Sequence, residues 1–547
     1  MKQSRTLVLV LALQLGLTAT LFSQGTAPDS QPPLLSFEEL KQLADLNPLA
    51  GPLAEKVRVI QTTPFVSNAA ARSGSSPIIL THQQLGKSIR AAQWNVERGI
   101  NLDLIKSVFA NPAEFQAKIN SKTHASGSTN YQEAIKQADL LRNSSILVIN
   151  EADLGMTRTD YRDVAAELAE AAKMNYAFGV EFFEIDKIQL GLEELGDSDE
   201  EKAELRKALG TDPSRYKGLH GSAVLSRYPI LSARLVPLQH QCYDWYLKEL
   251  ETTSPLEGAK RGVADKIFLE RVIREVRRGG RTVLIADLAV PELPEGRVSV
   301  VNVHLENRCK PGCREDQMKE VLALVAGIRN PVILAGDLNT TGNDSTPTSF
   351  RRELKKRYKD PSFWGVQAVK RLTPYGLTLD AIGFGLDFGK ISRDPTSDKI
   401  PLLAPHTEGE LFDEIKDFRF ADGKAFDFRG DSARSSEDKS KKLANSNERA
   451  KIGFAPTFKF ERKLENIVGE YKLDWFFVKP YVTDPDDEKQ SYRFAPHFGQ
   501  TLDELNEAVE DRISDHAPII LDLPFNEPRR GKESDKGAAR EIKGVFK

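Results

Sequence analysis

This chain of 547 residues has no apolar run long enough to cross a membrane comfortably. Its nearest candidate, Leu7 to Leu17, is interrupted by Gln14 and Gly16 and is short of the roughly 20 residues a spanning helix needs. Lys2 and Arg5 precede that run and Ser23-Gln24-Gly25 follows it, the layout of a secretory signal over residues 1–25. The expected location is therefore secreted or periplasmic, and with no cysteine just after the run a lipid-anchored form is disfavoured. Excess positive charge is missing too. The formal net charge is −3, and removal of Lys2 and Arg5 with the signal takes it to about −5. That excludes a general nucleic-acid binder acting through global charge, but not a local cleft.

Cysteine is scarce, with three in the chain. Cys309 and Cys313 are spaced to close a small disulfide loop in an oxidising compartment, leaving Cys242 buried or paired elsewhere. Soft ligands are too few nearby for a zinc site. Walker, Rossmann, HExxH and GxSxG patterns are absent, as is any internal repeat.

What is present is a large α/β pattern. Apolar runs at 146–149, 223–225, 283–286, 298–303, 332–335, 475–478 and 519–523 predict strands covered on both faces, and helical patterns at 161–174 and 314–328 fall between them. Residues 26–84 read as an N-terminal segment and linker, with a short helix at 37–46 and a loop over 67–77. The main domain is expected at 85–525, with insertions at 186–216, at 244–280 as a charged helix, and most extensively at 341–470. A charged tail occupies 526–547.

Six short motifs sit at or just beyond these strands: Gln93-Trp94-Asn95, Asn150-Glu151, Asn302-Val303-His304-Leu305, Gly336-Asp337-Leu338-Asn339, Leu473-Asp474-Trp475 and Ser514-Asp515-His516. Strands hold side chains rigidly at a sheet edge, which suits attack on a phosphate ester. Glu151 offers a carboxylate to a hard, oxygen-seeking cation, for which Mg²⁺ is the natural choice, with Mn²⁺ or Ca²⁺ also compatible. Asn95 supplies a neutral oxygen to that cation or a donor to the phosphate, and Asp515 completes this site or a second one. Asp337 can orient or deprotonate the attacking water, with Asn339, two positions on, holding a phosphoryl oxygen. His516 suits a phosphate contact or a base, with Asp474 as its orienting partner, and His304 suits protonation of the leaving oxygen. His220 is worth watching within Gly218-Leu219-His220-Gly221, with a structural role the favoured reading, whereas His82, His124, His240, His406 and His497 have no companion motif.

These residues resemble the endonuclease/exonuclease/phosphatase superfamily, the DNase I-like fold, from about Gln93 to Leu523. The segment Gly221 to Ile230, and Arg314 with Gln317 after the His304 motif, carry the likeness further. The resemblance implies a four-layered α/β sandwich, two mixed β-sheets packed face to face with helices outside. It also implies that Asn95 and Glu151 are metal and phosphate ligands, and that Asp337 with Asn339, Asp474, and Asp515 with His516 fill the family's remaining motifs. A histidine at 304 is similar to the DNase I-like and sphingomyelinase-like branches, whereas abasic-site enzymes carry tyrosine. Nucleic acid is the expected substrate, since basic clusters at 274–281 and 351–359 offer to guide a strand. A phospholipid is the alternative, with Phe350, Trp364, Phe412 and Phe418 as membrane-facing aromatics. A third reading is an inactive binding protein on the same fold. No stable protein partner is implied.

Overall fold

A computed structural model describes residues 29–83, 85–194, 198–200, 202–203, 210–251, 275–340, 409–427, 457–462, 467–482, 492–510 and 512–526. The expected signal over 1–25, the basic cluster at 351–359, Phe350, Trp364 and the tail from 527 lie outside them.

Eleven strands position the site: β1 (Gly86–Asn95), β2 (Ile146–Leu154), β3 (Asn175–Glu184), β4 (Leu219–Ser226), β5 (Ile230–Pro237), β6 (Thr282–Ala289), β7 (Arg297–His304), β8 (Val332–Asp337), β9 (Asp474–Lys479), β10 (His497–Thr501) and β11 (Ile519–Pro524). One sheet runs in the order β3-β4-β2-β1-β11-β10, with Phe65–Ser67 and Arg277–Gly279 added along β3 and Leu80–His82 paired to the start of β1. The other runs β9-β8-β7-β6-β5. Each contains one parallel pair, β1 with β2 and β7 with β8, among antiparallel neighbours, so both sheets are mixed.

Strand alternation sorts the apolar residues into layers. Ile89 and Ala91 of β1, Ile146 and Val148 of β2, Val298 and Val300 of β7, and Ile333 and Ala335 of β8 all point into the space between the sheets. Their neighbours Trp94, Leu147 and Ile149 face helices Leu102–Ala110 and Val164–Ala172 on one outer surface. Val301, Val303, Leu334 and Trp475 face helices Pro311–Val325 and Gly409–Asp417 on the other. The result is the expected four-layered sandwich.

Residues 29–83 are part of this domain rather than a lead-in to it. Phe65–Ser67 pairs with β3, and Leu40, Leu43 and Ile60 join the outer core. The charged segment before Gly280 also departs from expectation, because Arg277–Gly279 is a strand on β3 and the helix there covers only Leu247–Glu251 among the described residues. Its described arginines are engaged: Arg277 pairs with Glu184 at 2.8 Å, Arg278 lies over the Tyr246 ring, and Arg281 pairs with Glu181 at 2.9 Å. These three do not form a face open to a nucleic-acid strand, and Arg274 lies outside the described residues.

The disulfide also differs from the sequence reading. Cys313, on the first turn of helix Pro311–Val325, is bonded to Cys242 across a Cα–Cα distance of 6.0 Å, while Cys309 before the helix donates its thiol to the Glu306 carbonyl. The helix carries Cys313 toward the loop after β5, so the spatial neighbour wins over the sequence neighbour. In oxidised protein, Cys242→Ser is expected to remove about 2–4 kcal/mol of stability, because the bond closes a long loop of the unfolded chain. Thermal unfolding with and without a dithiol reductant checks this: the reductant should erase the difference between the two proteins.

Gly336 is fixed by its surroundings. Its φ is +149°, and a Cβ there would stand 1.8 Å from the Val303 carbonyl oxygen. Gly336→Ala is expected to cost at least about 3 kcal/mol, since backbone on both parallel strands would have to part. A variant with an unchanged denaturation midpoint would refute this account.

Candidate active site

The inward-facing positions change character as the strands approach one edge. On β1 the sequence Ile89, Ala91 continues as Gln93, Asn95. On β2, Ile146, Val148 continues as Asn150. On β7, Val298, Val300 continues as Asn302, His304, and on β8, Ile333, Ala335 continues as Asp337. β9 runs the opposite way and enters this edge with Asp474. An apolar layer between two sheets thus ends in a polar one.

The floor of that polar layer is a buried amide ladder. Gln93 Nε2 donates to Asn150 Oδ1 at 3.1 Å and to Asp474 Oδ1 at 2.8 Å. Asn150 Nδ2 donates to Asn302 Oδ1 at 2.8 Å, and Asn302 Nδ2 donates to the carbonyls of Ile149 and Ala223. Asn150 Oδ1 also accepts the Asp337 backbone N–H at 2.9 Å. The sequence flagged these amides only as companions of the motif residues. Their function is to tie the two sheets together beneath the reactive groups, since a buried amide with missing partners is costly.

Above the floor, Asp337 Oδ2 is the point of convergence. Asn95 Nδ2 donates to it at 3.1 Å, His516 Nε2 lies 3.7 Å away and His304 Nε2 lies 3.8 Å away. Asn95 Nδ2 also donates to Glu151 Oε1 at 3.1 Å, and His304 Nε2 lies 3.9 Å from that oxygen. His516 Nδ1 faces Asp474 Oδ2 at 2.8 Å, the orienting pair expected from sequence. Burial disfavours its charged form, yet Asp474, Asp337 and Asp515 hold the His516 imidazolium well above its ordinary range. Burial raises the Asp337 carboxyl, with Asp474 adding to the shift against the pull of both histidines.

Asn339 arrives by a different route from the one strand alternation suggests. The strand ends at Asp337, and Asn339 adopts φ +48°. Its backbone N–H donates to Asp337 Oδ1 at 2.8 Å and its side-chain amide donates to the Leu305 carbonyl at 2.9 Å. It therefore braces the Asp337 carboxylate and the end of β7. Glu151 likewise has φ +56°, at a bulge where the pairing of β2 with β4 shifts between Ile149 and Ala152.

Sequence reasoning missed Glu97. It lies two residues beyond Asn95 in a tight run, Glu97, Arg98 and Gly99, with φ of +47°, +65° and +81°. Glu97 Oε2 accepts the Asp515 backbone N–H at 3.0 Å. Burial and then the Asp515 charge raise Glu97 to about 7, and burial raises Asp515 to about 6, with Glu151 and Asp337 opposing its ionisation. Glu151 moves the other way: burial opposes its charge, but His304, His220 and Arg98 keep the carboxyl below its usual range. The signal was legible as an acidic residue after a strand end, followed by glycine.

Glu97, Glu151 and Asp515 form a set of hard oxygen donors whose mutual repulsion a divalent cation would relieve, and this donor chemistry fits Mg²⁺ or a related ion. Asp337, Asp474 and His516 also cluster closely enough to hold an ion, but Asp474 is already spent on Gln93 and His516.

The expected second histidine, His304, is in the site. His220 is buried, with Nδ1 2.8 Å from Asp153 Oδ1. Thr457, at the end of the long insertion, accepts the backbone N–H groups of Leu473 and Asp474 on its hydroxyl, and nothing in the sequence marked it. Phe412 is fully buried against Trp475 and is not the membrane-facing aromatic that the lipid reading asked for, while Phe418 is half-buried and packs on Phe420 and Phe426.

Fold and site together define a sandwich hydrolase scaffold with acid, amide and imidazole groups at one edge of its paired sheets. The model of the endonuclease/exonuclease/phosphatase family matches residues 92–516, and the chain belongs to that family of phosphoesterases. No curated protein matches it closely enough to report. Solved structures similar to it include an endonuclease/exonuclease/phosphatase protein from Beutenbergia cavernae (16% identity, 80% of this chain and 72% of that one, TM-score 0.34). A 3′-5′ exonuclease from Neisseria meningitidis is also similar (13%, 80% and 100%, TM-score 0.35). So is a beta toxin from Staphylococcus aureus (12%, 79% and 99%, TM-score 0.29).

Proposed function

We propose that the protein is an exported, Mg²⁺-dependent phosphodiesterase that cleaves nucleic acid. The observation that carries the reading is the convergence of His304, His516 and Asn95 on one carboxylate oxygen of Asp337. Asp337 holds and orients the attacking water. His516, backed by Asp474, presents a cationic N–H to the phosphoryl oxygens, and His304 presents its Nε2 to the oxygen that leaves. Glu97, Glu151 and Asp515 would hold the cation, which when bound neutralises charge building on the phosphoryl group. A groove of about 690 Å³ begins at Gly99, in the same turn as Glu97, and its lining mixes Lys118, Arg158, Arg162 and Arg512 with Asp103, Asp160 and Glu510, so the choice of nucleic acid rests on the paired histidines His304 and His516 rather than on a basic track. The apolar start of the chain, Leu7 to Leu17 after Lys2 and Arg5, supports export.

The test is hydrolysis of plasmid DNA, RNA and sphingomyelin in parallel, each with Mg²⁺, with EDTA, and with Asp337→Ala. Nucleic-acid cleavage that vanishes in the last two arms supports the proposal. Phosphocholine release without it moves the substrate to lipid, and silence on all three returns the inactive binding protein to consideration.

A further inference from the structure

Asp515 and His516 do not stand on a strand. They ride in the loop between β10, which ends at Thr501, and β11, which begins at Ile519. Main-chain groups buried in such a loop need partners, because an unpaired N–H or C=O away from water is costly. For Ile513 and Ser514, the two residues that lead into the pair, every main-chain N–H and C=O has a partner, and none comes from a strand ladder. Asn506 Nδ2 donates to the Ser514 carbonyl at 2.7 Å, and the Ser514 N–H donates to Asn506 Oδ1 at 3.1 Å. The Ile513 N–H donates to the Asn506 carbonyl at 3.1 Å, and Asn101 Nδ2 donates to the Ile513 carbonyl at 3.0 Å.

We infer that Asn506 is a positioning residue that sets the register of Ser514 and, through it, of Asp515 and His516. A primary amide carries a donor and an acceptor side by side, so one side chain meets both main-chain groups of Ser514, as a residue of a paired strand would. Ser514 passes the constraint on. Its hydroxyl donates to the Asn95 carbonyl at 2.8 Å and accepts the His516 backbone N–H at 3.2 Å. The Asp515 N–H donates to Glu97 Oε2 at 3.0 Å. A shift of Ser514 would therefore move the Asp515 carboxylate against Glu97 and the His516 ring against Asp474.

Asn506 can do this because its own place is fixed. It is 3% exposed and belongs to the short helix Asp503–Glu507. Leu502 and Leu505 pack into the outer core, and the Leu505 N–H donates to Gln137 Oε1 at 2.8 Å. The Asn120 N–H donates to the Ala508 carbonyl at 2.8 Å, and His124 Nε2 lies 3.2 Å from Glu504 Oε2. Gln137 stands on helix Thr129–Arg142, so the helix that carries Asn506 is anchored to the outer helical layer and not to the reactive groups. The side chain of Asn506 is the strut between that layer and the loop.

The bracing follows from geometry, while its effect on turnover rests on the phosphodiesterase reading, and the experiment separates the two. In EDTA, amide hydrogen exchange read on overlapping peptides should find the Ile513 and Ser514 amides of the unmodified protein protected, although they lie outside any strand or helix. Exchange there at the rate of an unstructured chain overturns the inference whether or not any substrate is cleaved. Asn506→Leu keeps the side-chain volume and removes both of its bonds to Ser514. It should release the Ser514 amide, raise the Mg²⁺ dissociation constant about 10- to 100-fold and lower kcat by a similar factor, the range expected when a group behind a metal ligand is lost. The Mg²⁺ constant is read from melting temperature against Mg²⁺ concentration, with no substrate present. Leu43→Ala, which thins the outer core at helix Phe37–Asp45, should lower the melting temperature and leave the Mg²⁺ constant unchanged, as a purely structural loss does. Parental values of the Mg²⁺ constant and kcat in Asn506→Leu overturn the inference and leave the proposed activity standing. If the unmodified protein neither binds Mg²⁺ nor cleaves, or if Asn506→Leu fails to fold, the exchange of the unmodified protein still decides.

Discussion

Asp474→Asn is expected to lower kcat by about three to four orders of magnitude in a protein that remains folded, as in other sites where the carboxylate behind a catalytic imidazole becomes an amide. The reason lies in what already surrounds Asp474. Gln93 Nε2 donates to Oδ1 at 2.8 Å, and His516 Nδ1 faces Oδ2 at 2.8 Å. An asparagine must give its oxygen to the Gln93 donor, which leaves its NH₂ group facing Nδ1. His516 is then obliged to accept there. The imidazolium that burial opposes but Asp474, Asp337 and Asp515 sustain loses its largest support. Initial rates against substrate concentration should show the loss in kcat with KM changed far less. Circular dichroism should superimpose on that of the parent, and a variant retaining even a tenth of the parental kcat would remove His516 from the mechanism.

Cation binding should yield the second large effect, and it can be read without any substrate. In the cation-free protein, Glu97 and Asp515 have folded-state pKa values of about 7 and about 6, above those of unfolded carboxylates. Groups raised in this way stabilise the fold at low pH, and that contribution is lost as pH rises from about 4.5 through 7. The Glu151 shift has the opposite sign and acts only below that window. Saturating Mg²⁺ should therefore raise the melting temperature more at pH 8 than at pH 5. At a concentration 100 times the dissociation constant it adds about 2.7 kcal/mol. Glu151→Gln should abolish most of the Mg²⁺ response at pH 8 and reduce turnover to near the EDTA level. A Mg²⁺ shift equal at both pH values would mean that the cation binds elsewhere.

The elements that could be read from sequence share one property, a local and repeated pattern. Apolar runs marked β7 and β8 to within a residue or two, and so delivered His304 and Asp337 to the ends of those strands. Helix Val164–Ala172 came out shorter than its apolar pattern because Asp163 caps its start and Lys173 turns left-handed at its end. What could not be read depends on partners far apart in the chain. Arg281 looked like one of several arginines in a basic run, and only the meeting of β3, β6 and β7 shows it enclosed by Glu181, Glu306 and His304. Cys313 had a plausible partner four residues away, and helix geometry gave it another. Asn339 was misplaced for a local reason, since strand period says nothing once the strand has ended. Glu97 was overlooked although its neighbours were not, because a lone acid in a turn resembles any solvated loop carboxylate.

The amide ladder of Gln93, Asn150 and Asn302 has a consequence for how this scaffold diversifies. Each sheet carries half of the reactive groups, and the ladder fastens the halves at fixed spacing through bonds that involve no surface loop. The loops above the edge are left with a lighter share of that task, carried by Thr457 at Asp474, Glu97 at Asp515 and Asn339 at Asp337. They can lengthen, shorten or be exchanged, as the stretch between Asn339 and Asp474 illustrates, while the chemistry beneath stays in register. For the engineer, the loops to exchange are those that leave Thr457, Glu97 and Asn339 in place. Trimming one amide of the ladder is the change to avoid, because Gln93 and Asn150 hold the Asp474 carboxylate and the Asp337 backbone.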